Sequence, residues 1–183
     1  MHQADDVTAE KARLRAELSA VRAERSPERL DEARGAIRSV VLAQSESAGW
    51  RCVAAYVALR TEPGSAELLA ELASRGIRVL VPVTLADRDL DWAEWLPDGT
   101  GEPLGLEAIA SADVVLVPAL AVAADGTRLG RGGGSYDRAL ARAAPDAPRV
   151  ALLFDGEQVP TLPRESWDLP VTDVVSPTGW RRL

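Results

Sequence analysis

A chain of 183 residues, 46% hydrophobic and 27% charged, has the size and balance of one globular domain with its own core. A single cysteine, Cys52, and a single histidine, His2, exclude a disulfide framework, a cysteine-based zinc site, a multi-histidine metal site and a histidine-dependent triad. The net charge of −7 argues against nucleic-acid binding, although local arginines can still hold small anions.

The N-terminal stretch is charged throughout, so it does not read as a signal peptide, and no apolar run reaches membrane-spanning length. A soluble, cytoplasmic protein is expected. Thr8 to Arg25 reads as a helix with Leu14, Leu18 and Val21 as its apolar stripe, and with Lys11 and Arg15 together on a neighbouring face. Ser26-Pro27-Glu28 starts a second helix, as N-cap, N1 proline and first-turn acid. It runs to about Ser45, burying Leu30, Ala33, Ile37, Val40 and Val41, and Gly49 closes it.

Cys52 to Leu59 has the length and apolarity of a strand. After a Thr-Glu-Pro-Gly-Ser loop, Ser65 caps a helix through Ala73 that ends near Gly76. Ile77 to Val83 is the second strand. Asp89 to Leu96 alternates apolar and acidic residues, as a half-exposed strand would. Pro97 to Gly105 reads as a turn-rich connection, Leu106 to Ala110 as a short helix, and Asp113 to Leu120 as a third buried strand ending at its proline. A long loop follows, then a helix from Ser135 to Ala143, a fourth buried strand from Arg149 to Phe154, and a last short one from Val171 to Ser176. Alternating strands and helices predict an α/β fold: a single-domain, open, mostly parallel sheet with helices on both faces. The single domain spans residues 1–183, with N-terminal helices at 8–46 and the sheet and ligand loops at 51–183.

The long loop carries the chemistry. In Arg128-Leu-Gly-Arg-Gly-Gly-Gly-Ser-Tyr-Asp137, consecutive glycines let backbone N–H groups turn inward, and a helix starting at Ser135 adds unpaired N–H groups at its N-terminus. Such a place suits a phosphate, with Arg128 and Arg131 adding charge-assisted hydrogen bonds. Asp137 is out of place beside a bare anion and points to a divalent cation between carboxylate and phosphate. The plainer alternative is a flexible surface loop ending in a helix cap. The stretch lacks the Gly-Lys-Ser/Thr of a P-loop, and Ser135 stands where a dinucleotide fingerprint needs glycine.

With the preceding Ala112-Asp-Val-Val-Leu-Val-Pro-Ala-Leu-Ala-Val-Ala-Ala-Asp-Gly-Thr127, this loop resembles the signature of the 5-formyltetrahydrofolate cyclo-ligase family. Pro118, Asp125, Gly126, Arg128, Leu129, Gly130, Gly132, Gly134, Tyr136 and Asp137 fill its fixed positions. The likeness extends to Lys11-Ala-Arg-Leu-Arg15, to the strand leading to Glu62, to Ile77–Pro82 and to the C-terminal segment with Asp173. It implies ATP- and Mg²⁺-dependent conversion of 5-formyltetrahydrofolate to 5,10-methenyltetrahydrofolate by a monomer. The implied ATP site is Lys11, Arg15, Arg128, Leu129, Gly130, Arg131, Gly132, Gly133, Gly134, Ser135 and Tyr136. Folate would meet Val57, Glu62, Arg131, Gly132, Gly133, Gly134 and Ser135. Arg131 and Tyr136 would position the reacting groups, and Asp137 and Asp173 would hold Mg²⁺. Trp92, Trp95 and Trp167 are candidates for stacking on a ligand ring. The competing readings are a redirected homologue that binds folate or nucleotide without this chemistry, and a dinucleotide-dependent oxidoreductase.

Overall fold

The computed structural model describes residues 2–183, with side chains from Asp6 onward; the side chain of His2 lies outside them. Two long helices come first, α1 (His2–Ala23) and α2 (Pro27–Ala48). Ser26 caps α2 by accepting a hydrogen bond from the Arg29 amide, and Gly49, at φ 65°, ends it. α3 (Ala66–Ser74) begins under Ser65, whose side chain accepts from the Leu68 amide.

The central sheet contains β1 (Cys52–Ala54), β2 (Arg78–Thr84), β3 (Leu90–Leu96), β4 (Gly99–Pro103), β5 (Val114–Pro118), β8 (Arg149–Leu152), β10 (Asp173–Ser176) and β11 (Gly179–Arg182). Their order is β11-β10-β8-β5-β1-β2-β3-β4. The five from β10 to β2 run parallel, while β3, β4 and β11 add antiparallel edges. Period-two alternation sends Val53, Val79, Val81, Leu116, Val150 and Leu152 to the face covered by α2 and α3. Ala54, Leu80, Val115, Val117 and Ala151 point to the other face, beneath the 3-10 turn Leu106–Ser111 and α4 (Ser135–Leu140). Both faces of each central strand are therefore buried, and this explains their unbroken apolar runs.

Several expectations are corrected. The first strand pairs regularly only over Cys52–Ala54, after which the chain turns into the cleft described below. The long loop contains β6 (Ala121–Ala123) and β7 (Arg128–Leu129), which form a small second sheet with β9 (Gln158–Val159). The turn-rich connection holds β4, whose Gly-Thr-Gly-Glu-Pro sequence carries no apolar pattern because it pairs through its backbone at an exposed edge. β3 is less exposed than its alternation suggests: Trp92 and Ala93 are fully buried.

α1 differs most. Of the expected stripe Leu14 and Leu18 are half-buried and Val21 is exposed, while among the described side chains of the helix the fully buried ones are Lys11 and Arg22. Lys11, Arg15 and Arg22 share one face of the helix, and each bonds the body of the protein. Arg22 makes a bidentate pair with Glu157 at 2.8 and 2.7 Å and also donates to the Ala119 carbonyl at 2.6 Å. The helix is thus attached through a largely buried cationic stripe, with its apolar positions at most half-covered.

Candidate active site

A cleft of about 510 Å³ opens at the carboxyl ends of β1, β2 and β5. The chain leaves β1 toward β2 on one side, while β5 lies on the other, so the cleft sits where the strand order reverses. In open α/β sheets this is where ligands bind, because the loops at such a point diverge and leave a crevice. Tyr56, Val57, Leu59 and Glu62 line it from the loop after β1, and Pro82 and Thr84 from the end of β2. Pro118 at the end of β5 and Ala119 and Leu120 just after it add to the lining. Lys11, Arg15 and Arg22 of α1, residues Gly130 to Asp137, and Glu165, Trp167 and Asp168 complete the wall.

Cations converge here, and each already has a partner. Lys11 Nζ lies 2.7 Å from Glu165 Oε2 and 2.5 Å from Asp168 Oδ2. Arg15 Nε donates to the Gly130 carbonyl at 2.9 Å, and its guanidinium stands where a Cβ on Gly132 would come within 3.2 Å of Cζ. Gly132 also has φ 100°, so an L side chain there is both strained and crowded. Arg128 donates to Asp137 Oδ1 at 2.7 Å, and the Leu169 amide donates to the same oxygen at 3.1 Å. Arg131 Nε reaches Glu62 Oε1 at 2.9 Å, while the other Glu62 oxygen accepts from the Leu59 amide at 2.8 Å. Arg34 of α2 secures this loop by donating to the carbonyls of Arg60 and Glu62.

Some polar atoms lack partners. The Tyr136 hydroxyl and Arg128 Nε are buried without a hydrogen bond among the described residues. Burial pushes the Tyr136 phenol well above its usual range, and burial with Glu62 nearby does the same to Tyr56. Both hydroxyls keep their protons and, with no partner among the described residues, are free to donate. A buried donor facing a cleft is costly unless a ligand supplies the acceptor.

A sequence model of the 5-formyltetrahydrofolate cyclo-ligase family matches residues 7–177. The chain belongs to this family. A 5-formyltetrahydrofolate cyclo-ligase of Mycolicibacterium smegmatis is 43% identical over 143 residues, covering 69% of this chain and 74% of the relative. A protein of the same name from Haemophilus influenzae is 27% identical over 183 residues, covering 92% and 98%. The fold is that of the Aquifex aeolicus 5,10-methenyltetrahydrofolate synthetase, with a TM-score of 0.79 at 24% identity over 94% of this chain and 92% of that one. The Mycoplasma pneumoniae 5,10-methenyltetrahydrofolate synthetase superposes with a TM-score of 0.77 at 20% identity, over 91% and 98%.

The structure brings most of the expected residues of this cyclo-ligase-family chain together. Lys11, Arg15, Val57, Glu62, Arg128, the stretch Gly130 to Tyr136, and Asp137 all border one cleft. Leu129 lies beneath it, buried in β7. Asp173 does not join them. It sits buried in β10, where its Oδ1 accepts from the Trp180 indole at 2.9 Å and its Oδ2 from the Thr172 hydroxyl at 2.6 Å. The Trp180 bond joins β10 to the edge strand β11, a structural task. The carboxylates that do line the cleft with Asp137 are Glu62, Glu165 and Asp168, and of these Asp168 is the one whose neighbour, Leu169, bonds Asp137 directly. The charged, proline-bounded Pro163-Arg-Glu-Ser-Trp-Asp-Leu-Pro170 was the available signal, since it has no periodicity that a strand or helix would explain.

Other details shift too. α4 is only six residues long, so anion attraction rests on the arginines and loop amides more than on a helix dipole. Trp92 is core, and Trp95 packs against the α2–α3 side; only Trp167 of the three candidates lines the cleft.

Among the described residues no three carboxylate, histidine or cysteine side chains cluster as a self-sufficient metal site. Asp137 and Asp168 both line the cleft, and carboxylates of this number are what Mg²⁺ commonly takes, its shell completed by phosphate oxygens and water.

Proposed function

We propose that this protein is an ATP- and Mg²⁺-dependent 5-formyltetrahydrofolate cyclo-ligase, acting as a monomer in the cytoplasm. The observation that supports this reading is the convergence of Lys11, Arg15, Arg128 and Arg131 with Asp137 and Asp168 on the glycine loop, in a chain of this family.

The formyl oxygen is a poor leaving group. Transfer of the γ-phosphoryl group to it releases ADP and leaves an iminium phosphate. The neighbouring amine nitrogen attacks the formyl carbon and loses its proton. The carbon–oxygen bond then breaks, phosphate departs and the ring is closed. No step needs a protein nucleophile, in keeping with a cleft that contains neither cysteine nor histidine among its lining residues. The protein's work is alignment and charge neutralisation.

In this reading Arg128, Arg131 and the amides of Gly130 to Ser135 hold the triphosphate, and Lys11 and Arg15 add charge from α1. The Tyr136 hydroxyl donates to an oxygen of the reacting groups. Glu62 and Val57 meet the folate. Asp137 and Asp168 hold Mg²⁺, which when bound supplies neutralisation of phosphate charge.

The test mixes purified protein with 5-formyltetrahydrofolate, ATP and Mg²⁺ and follows the near-ultraviolet absorbance of the methenyl product. A rise that requires all three components is expected. ATP binding without any rise would favour the redirected homologue.

A further inference from the structure

Among the described residues Trp167 is the most exposed of the large hydrophobic ones, at 64%, and it lines the cleft. The other tryptophans have other roles. Trp92 is fully buried, Trp95 packs on the core, and Trp50 and Trp180 meet with ring centroids 5.9 Å apart. An indole left largely in water at the mouth of a polar cleft is unfavourable unless something covers it.

The turn that carries it is firmly held. The Glu165 amide donates to Asp168 Oδ2 at 2.8 Å, the Asp168 amide to the Glu165 carbonyl at 3.1 Å, and the Leu169 amide to Asp137. Lys11 clamps Glu165 and Asp168 from outside. The ring is thus displayed on a fixed turn rather than on a loose strand of chain. A flat apolar surface next to charged groups suits a planar heterocycle that bears phosphates.

The proposed reaction brings two flat ring systems to this cleft, so the inference rests on that reading. The turn carrying Trp167 is joined to α1 where Lys11 bonds Glu165 and Asp168, on the wall assigned to phosphates and metal. The exposed apolar residues Val57 and Leu59 lie with Glu62 on the loop after β1, the wall assigned to folate. We infer that Trp167 is the stacking platform for the adenine base of ATP and sets the purine contribution to nucleotide affinity.

The test measures equilibrium binding of a non-hydrolysable ATP analogue with Mg²⁺, of inorganic tripolyphosphate with Mg²⁺, and of 5-formyltetrahydrofolate. Wild type is compared with Trp167→Ala and Trp167→Phe. The side chain is exposed, so both variants should keep the wild-type circular dichroism. Stacking predicts that Trp167→Ala weakens the ATP analogue about ten- to a hundredfold, leaves tripolyphosphate and folate unchanged, and that Trp167→Phe retains most of the affinity. Unchanged analogue affinity in Trp167→Ala overturns the platform while leaving the cyclo-ligase reading standing. Equal weakening of tripolyphosphate, or loss confined to folate, also overturns it. Wild-type protein that takes up no ATP analogue sinks both.

Discussion

At the scale of single residues, Asp137 carries two demands. Its Oδ1 is committed to Arg128 and the Leu169 amide, and its negative charge is what a cation beside the phosphates would use. Asparagine keeps an oxygen for both donors and removes only the charge, so Asp137→Asn separates the roles. Turnover should fall by about 10²- to 10³-fold while circular dichroism and thermal midpoint hold. Full activity in this variant would remove Asp137 from the metal site. Asp89 makes a different point. Arg142 donates to both of its oxygens, at 2.9 and 2.7 Å, and tethers the β2–β3 turn to the chain just after α4. Its hydrogen bond with Arg142, opposed by partial burial and aided by the Leu90 amide, lowers the Asp89 carboxyl to about 2. The unfolded chain holds this proton with an ordinary pKa of about 3.9. Between these values the unfolded state binds more protons, so stability rises with pH. The contribution is present above about pH 4 and is lost as pH falls toward 2. Urea midpoints across that window should drop more steeply for wild type than for Asp89→Asn; parallel slopes would show that the pair does not govern acid stability.

At the scale of elements, α1 shows what a sequence conceals. Its position depends on Arg22 meeting Glu157, 135 residues away, and hydrophobic periodicity cannot report a helix attached by charge. The same limit hid Asp168: the resemblance named Asp173, and only the path of the chain shows that Asp168 lines the cleft while Asp173 is bonded within the sheet. Edge strands β4 and β11 were equally hidden, because edge pairing needs backbone and little apolar patterning. The central strands, the caps at Ser26 and Ser65, and the glycine loop were legible, since each rests on local stereochemistry. The Arg22–Glu157 pair yields a prediction. With side chains only 1% and 5% exposed, removing one partner leaves a buried charge uncompensated. Glu157→Ala should cost about 3–5 kcal/mol in denaturant unfolding. It should also raise the KM for ATP more than that for folate, because Lys11 and Arg15 lose their footing. A variant as stable as wild type would mean that α1 is held elsewhere.

At the scale of the whole molecule, the cleft holds its charges in internal pairs: Lys11 with Glu165 and Asp168, Arg128 with Asp137, Arg131 with Glu62. A phosphate that takes a cation frees a carboxylate, and a metal that takes the carboxylate frees the cation. Bound alone, either ligand must break pairs whose remaining members are left poorly compensated in a partly desolvated site. Bound together, they exchange partners with charges still matched. Nucleotide and metal should therefore bind with positive and reciprocal coupling. Mn²⁺ reports this directly by electron paramagnetic resonance, with no need for turnover. Wild-type protein should take up Mn²⁺ weakly alone and about 5- to 150-fold more tightly with a non-hydrolysable ATP analogue, the range of ordinary allosteric couplings, after subtraction of metal bound by free nucleotide. Lys11→Met removes the internal ammonium and frees Glu165 and Asp168, so it should tighten Mn²⁺ binding without nucleotide and shrink the coupling. Should Lys11→Met bind Mn²⁺ alone no better than wild type, the Lys11 clamp is a structural bond that α1 keeps throughout the reaction, and the metal is recruited by nucleotide phosphates instead.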